Sequence, residues 1–197
     1  MKTLKNYAFV GAAILALICV PLFAQSKGIT VGNWTFENQA NGTCGWELAT
    51  AEFYMYKGPA KLSWDNSLGK GLLRLDVDFT NYKDLEWSEV KMFSDFPKSF
   101  QMRGKTKFTF DFYYNPSLHS KDGHFKAKVF ANNNGFLINS NSDEITGGTN
   151  AGNGFVKVKG EIPIKPVSGF LTDMRFSIAG YMTAYKGAVF FDNLRWE

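Results

Sequence analysis

Past its first two dozen residues, the chain has almost no sulfur chemistry to stabilise it. It contains two cysteines, and Cys19 lies in the apolar start, so Cys44 stands alone and no intrachain disulfide can form after that start. Histidine is scarce: His119 and His124 are the pair, five apart, with no accompanying cysteine or carboxylate pattern of the kind a zinc site needs. Charge of one sign is lacking too. The formal net charge is +4, and Lys2 and Lys5 belong to the start, which leaves the remainder near +2. A balance that close to neutral implies neither a nucleic-acid partner nor an anionic membrane surface. No convincing helical period, internal repeat or interdomain linker is present beyond the start. Stability must come from a packed core, and residues 25–197 are enough for one ordinary domain that has one.

The start itself, residues 1–24, reads as a secretory signal. Lys2 and Lys5 supply the positive end, residues 7–20 carry no charge, and Ala24 offers a small residue at the cleavage position. A transmembrane helix is the alternative, but the run is short for the ~20 residues a span needs. A lipid on Cys19 is a third option, which the preceding Ile18 fits poorly. Export to the cell surface, the periplasm or the medium is the expectation.

What the chain does have is aromatic alternation. It holds 19 Phe, and aromatics make up 16% of its residues. Leu73, Leu75, Val77 and Phe79 alternate with Arg74, Asp76 and Asp78. Phe108, Phe110 and Phe112 alternate with Thr109, Asp111 and Tyr113, and Phe125, Ala127 and Val129 with Lys126, Lys128 and Phe130. Val156 and Val158 alternate with Lys157 and Lys159, and Met174, Phe176 and Ile178 with Arg175 and Ser177. Residues 187–196 close the chain as a further strand. Period two means strands with one apolar face. Turn signals such as Lys57-Gly58-Pro59, Asn115-Pro116, Asp122-Gly123 and Lys186-Gly187 separate them. Nine to eleven such strands predict an all-β, two-sheet antiparallel sandwich of the jelly-roll type. Residues 132–154, rich in Asn and Gly, are expected to form a long loop or a pair of loops.

One stretch stands out. Read at period two, residues 84–93 put Ser88, Val90 and Met92 on one face and Trp87, Glu89, Lys91 and Phe93 on the other. A ring beside a carboxylate and an ammonium suits a flat, hydroxyl-rich ligand; the plainer alternative is a core Trp beside a solvated ion pair.

Four pieces resemble carbohydrate-binding modules of the jelly-roll type. Trp34-Thr35-Phe36-Glu37 followed by Gly45-Trp46 is similar to their opening. Residues 67–75, Ser-Leu-Gly-Lys-Gly-Leu-Leu-Arg-Leu, are similar to the glycine-bearing turn into the next strand. Trp87-Ser88-Glu89-Val90-Lys91 and the run Lys107-Phe108-Thr109-Phe110-Asp111-Phe112-Tyr113-Tyr114 resemble the mannan-binding modules of family 27, found attached to β-mannanases. Residues 185–194 resemble the closing strand of that group. Where those modules tend to carry Asn-x-Gly-Trp, this chain has Asn133-Asn134-Gly135-Phe136, a smaller platform.

The resemblance implies a non-catalytic protein that binds a polysaccharide or oligosaccharide, β-mannan or a related plant-wall glycan first. The ligand residues it implies are Trp87, Glu89, Lys91, Phe136 and Asn134, with Trp64, Trp46, Tyr113 and Lys128 as further candidates. It also implies a structural calcium held by Glu37, Asp192 and the carbonyl of Lys70, a hard oxygen set that suits that ion. A small glycan-active enzyme or a surface adhesion protein are the alternatives. For an enzyme, Asp76 and Asp78 share a strand face at roughly 6.5–7 Å, within reach of the spacing glycosidases use, although Arg74 beside them favours an ordinary charged face.

Overall fold

The computed structural model describes residues 30–133 and 136–197. The expected leader, residues 1–24 with Cys19, lies outside the described residues.

Twelve strands are described: β1 (Asn33–Trp34), β2 (Trp46–Leu48), β3 (Lys61–Asp65), β4 (Leu72–Asp78), β5 (Ser88–Gln101), β6 (Lys107–Tyr114), β7 (His124–Asn133), β8 (Phe136–Asn141), β9 (Thr149–Gly152), β10 (Phe155–Pro163), β11 (Phe170–Tyr181) and β12 (Lys186–Trp196). They form two antiparallel sheets, a jelly-roll sandwich. One runs β3-β4-β12-β6-β10-β9, with β1 also paired to β12, and has seven strands. The other has five, in the order β2-β5-β11-β7-β8.

The alternating residues decide which face is inside. Phe108, Phe110, Phe112 and Phe191 of the seven-stranded sheet meet Phe125 and Phe176 of the five-stranded sheet, and all are buried. Phe176 sits at the centre, with ring centroids 5.1 Å from Phe110, 5.4 Å from Phe108 and 5.3 Å from Phe191. Burying each such ring stabilises by about 1.5–3 kcal/mol, and each well-placed ring pair adds about 0.5–1.5 kcal/mol. Trp34 and Trp196 pack in this core as well. Some backbones come too close for a side chain. A Cβ on Gly71 would lie 2.0 Å from the carbonyl oxygen of Phe36, so only glycine fits where β4 begins.

Two expectations change. The stretch 84–93 is not one strand: residues 84–86 form a turn and bend, and β5 starts at Ser88. Residues 132–154 are not simply loop, since β7 runs on to Asn133 and both β8 and β9 lie within them. β8 and β9 are each an edge strand, one of each sheet. Each pairs on one side only, and β9 buries no side chain fully. Backbone hydrogen bonds hold them, so the apolar alternation that marks a half-buried strand is missing.

β5 pairs along its length with β11, but the register slips between Leu171 and Asp173, opposite residues 95–100. Pro97 falls in that interval and has no N–H to give a ladder.

Candidate functional site: a ring ladder beside a buried carboxylate

Because Met174, Phe176 and Ile178 of β11 face the core, Arg175, Ser177, Ala179 and Tyr181 face outward. Register then fixes their neighbours. Lys91, Ser177, Lys128 and Asn141 form one row across β5, β11, β7 and β8. Glu89, Ala179 and Lys126 form the next. Beyond the first row lie Phe93, Arg175 and Phe130, where the Arg175 guanidinium stands 4.6 Å over the Phe93 ring and pairs with Glu52 at 3.0 Å.

Glu89 lies at the bottom of this face, 1% exposed. A carboxylate there needs partners, because desolvation of an unpaired charge is costly. Ser177 donates its hydroxyl to Oε1, and the Lys91 ammonium stands 3.7 Å from Oε2. The backbone of Glu89 is tied as well: it exchanges hydrogen bonds with Tyr54, at 2.9 and 3.1 Å. Ala179 contributes only a methyl to its row. A groove of about 160 Å³ opens there, lined by Trp87, Glu89, Lys126, Lys128, Asn141 and Tyr181.

Four rings close one end of the groove. Tyr54 lies on Trp87 with centroids 4.3 Å apart and planes 17° from parallel. Trp87 and Tyr181 follow at 6.1 Å and 18°, and Tyr181 and His124 at 5.0 Å and 8°. The result is a ladder of near-parallel rings across the sheet. Lys126 sets its ammonium 5.2 Å over Tyr181, and Glu144 stands 3.4 Å from His124 Nε2 and 3.7 Å from Lys126 Nζ. Burial, with the charges of Glu89 and Glu86, pushes the Tyr181 phenol up, so it remains a hydrogen-bond donor at neutral pH. Chemically, the face offers ring edges and faces for C–H surfaces, one carboxylate to accept, and three ammoniums to donate. That combination fits a polyhydroxylated ligand.

The structure brings four of the sequence-predicted residues together: Trp87, Glu89, Lys91 and Lys128. Trp87 is not the open platform expected, because Tyr54 covers one of its faces. Trp46 is corrected to the core: it is 1% exposed and packs edge-on to Trp34, at 5.2 Å. Trp64 belongs to the other sheet, where its Nε1 donates to the Phe36 carbonyl at 2.7 Å. Tyr113 also lies on that sheet, 3% exposed, under the ammoniums of Lys70 and Lys157 at 5.3 and 5.7 Å. None of these three reaches the groove. Asn134 and the side chain of Phe136 lie outside the described residues.

Tyr54, Tyr181, His124, Asn141 and the partner role of Ser177 were not legible as site residues. A signal existed for one of them: extending the Arg175, Ser177 alternation by two steps passes Ala179 and reaches Tyr181.

The expected calcium residues have other company. Glu37 is exposed beyond β1. Asp192 is buried, and Lys70 Nζ donates to its Oδ2 at 2.5 Å. Burial works against that ammonium, but the hydrogen bonds and charges of Asp192 and Tyr113 outweigh it and hold Lys70 up at about 12. Beside it, Lys157 pairs with Asp111 at 2.7 Å, and Asn193 donates its amide to the same carboxylate at 2.7 Å. Two carboxylates are thus neutralised by two ammoniums. Among the described residues, no group of three or more His, Cys, Asp or Glu is placed to hold a metal. In this arrangement the Lys70 ammonium is the cation on Asp192.

No protein-family model matches the chain, and no curated protein matches it. Solved structures do. A family 27 carbohydrate-binding module of Caldicellulosiruptor saccharolyticus, in complex with mannohexaose, is 22% identical with a TM-score of 0.63, over 84% of this chain and 97% of that one. TmCBM27, a carbohydrate-binding module of specific mannan recognition, is 17% identical with a TM-score of 0.56, over 83% and 94%. A family 28 module specific for non-crystalline cellulose is 20% identical with a TM-score of 0.57, over 78% and 88%. The chain has the jelly-roll fold of the family 27 carbohydrate-binding modules.

Proposed function

We propose that this protein is an exported, non-catalytic binder of polysaccharide, with β-mannan as its first ligand, and that the outer face of the five-stranded sheet is where the chain of sugars lies. One observation carries the reading: a ladder of four near-parallel rings, two of which line a groove, stands beside a buried carboxylate and the ammoniums of Lys126 and Lys128. Pyranose rings have apolar C–H faces that pack on aromatics, and hydroxyls that both donate and accept. The groove supplies both kinds of partner side by side. The fold adds support, since a module of the same fold was solved with mannohexaose. Binding without bond cleavage is supported by the state of Asp76 and Asp78. Asp76 is paired with Arg74 at 2.7 Å, and hydrogen bonds from Thr80 and Lys186 hold Asp78 down at about 2, so Asp78 carries no proton to give at neutral pH.

The test is calorimetric titration of residues 25–197 with mannohexaose, cellohexaose and xylohexaose, beside a reducing-sugar assay on mannan, glucomannan and xylan. Saturable binding of mannohexaose with no sugar release is expected. Absence of binding to all three oligosaccharides refutes the reading, and sustained sugar release that disappears in Asp76→Asn or Asp78→Asn replaces it with an enzyme.

A further inference from the structure

The groove on the sheet face is small. About 160 Å³ is below the ~300–1,000 Å³ usual for a small-molecule site, so it holds part of a ligand. Across the ring ladder, at the end of the same sheet, lies a second and larger depression of about 620 Å³, lined by Lys83, Asp84, Glu86, Lys121, Asp122 and Met182. Its walls are continuations of the ladder. Residues 84–86 lead into Trp87, Met182 follows Tyr181, and Asp122 precedes His124 by two positions. β11 runs antiparallel to both β5 and β7, so the segments before β5 and β7 and the segment after β11 meet at one end of the sheet.

Backbone strain accompanies the ladder, and at Met182 it reaches the depression. Met182 has φ +43° and Met55 has φ +55°, each directly after a tyrosine of the ladder. A non-glycine residue in the left-handed region is uncommon, and a methionine has no side-chain hydrogen bond to favour it. Both are exposed, 47% and 52%, so core packing does not demand them. Such strain persists only where neighbours over-determine the backbone, and it gathers at ligand sites. At Met182 those neighbours are visible. Buried Thr183 hydrogen-bonds His119 Nδ1 at 2.8 Å and accepts from its own chain at Tyr185 N at 3.1 Å, and Ser120 Oγ accepts from Ala184 N at 2.8 Å. The loop is pinned so that an adaptable thioether side chain stands, with Leu85, at the rim of a depression whose other walls are mostly charged.

The geometry points to a second subsite: the polysaccharide crosses the ring ladder, and the loop-end depression, with Met182 and Leu85 as its apolar contacts and Asp84, Glu86 and Asp122 as acceptors for hydroxyls, binds the sugar units beyond it. This rests on the proposed function and deepens it. The ligand is then an oligosaccharide read across both sides of the ladder, and affinity is a function of chain length.

Met182→Gly is the probe, because glycine adopts φ +43° freely and so removes the side chain without removing the fold. Titrated with mannotriose and mannohexaose, Met182→Gly should bind hexaose about tenfold more weakly, the loss of one good contact, and triose as the wild type does, with a melting temperature equal or higher. Asp122→Ala, at an exposed position, should give the same split and guards against a folding defect in the first variant. Equal losses for both sugars in both variants overturn the separate subsite, and so does unchanged hexaose affinity in both while the wild type binds. A wild type that binds neither sugar fails at the earlier step, the proposed function itself, and this inference falls with it.

Discussion

The ring of Tyr54 lies 4.3 Å from that of Trp87, in nearly the same orientation, and closes one face of the tryptophan to solvent. The indole therefore has two duties, packing within the ladder and contact with a ligand, and its removal should show both. Trp87→Ala loses roughly 100 Å² of contact with a sugar, worth about 2.5 kcal/mol at ~25 cal/mol per Å², or close to two orders of magnitude in affinity. It also loses its ring pairs, at about 0.5–1.5 kcal/mol each. Tyr54→Ala, at a residue 46% exposed, should cost little stability and about tenfold in affinity. Titration with mannohexaose and urea unfolding of both variants measure the four quantities. Full affinity in a folded Trp87→Ala removes the ladder from the site.

Ser177 and Glu89 form the second dependence. Without the serine hydroxyl, a buried carboxylate oxygen is left without its donor, at a cost of about 1–3 kcal/mol. Ser177→Ala should therefore destabilise by that amount, Glu89→Gln should weaken sugar binding by about tenfold, and the double variant should be less unstable than the sum. Residues in one hydrogen-bonded pair couple by about 0.5–3 kcal/mol. Additive stabilities in a double-mutant cycle contradict the pairing.

On the other sheet, Lys70 serves Asp192 as its cation. Lys70→Met leaves that buried carboxylate to Asn193 alone, and a loss of about 1–3 kcal/mol is expected, below the cost of breaking a fully buried pair because Lys70 is itself partly exposed. A chelator should leave the wild-type melting temperature unchanged. A fall under chelator that added calcium reverses shows that an ion is held by groups other than this pair.

His119 makes stability depend on pH. Burial, with a smaller contribution from the charge of His124, lowers its pKa from 6.5 to about 4. The folded state therefore holds a neutral ring where the unfolded chain binds a proton. Stability is fully present above pH ~6.5 and is lost as pH falls towards 4, by about 3 kcal/mol at most. Carboxylates act in the same direction, so the comparison is with His119→Gln, whose urea midpoint should fall less between pH 7 and pH 4.5. Identical falls in the two proteins assign the acid sensitivity elsewhere.

Some of this was readable from the chain alone. Phe108, Phe110 and Phe112, or Met174, Phe176 and Ile178, declare strands and their inner faces, because period two is a property of the local backbone and burial follows from transfer out of water. Edge strands β8 and β9 escaped, because backbone pairing needs no apolar pattern.

The site was half legible. Trp87, Glu89, Lys91 and Lys128 were singled out, as were Trp46 and Tyr113, and nothing in the local sequence separates the first group from the second. All are aromatic or charged residues on or beside strands. What separates them is which sheet a strand joins and what covers its outer face. Tyr113 alternates outward as expected, yet Lys70 and Lys157 roof it over. Trp87 gains Tyr54 and Tyr181 as neighbours from two other segments. The alternation of a strand is fixed by its own residues; the company its outer residues keep is fixed by strand order and register, which are long-range hydrogen-bonding choices, and only the tertiary structure makes them.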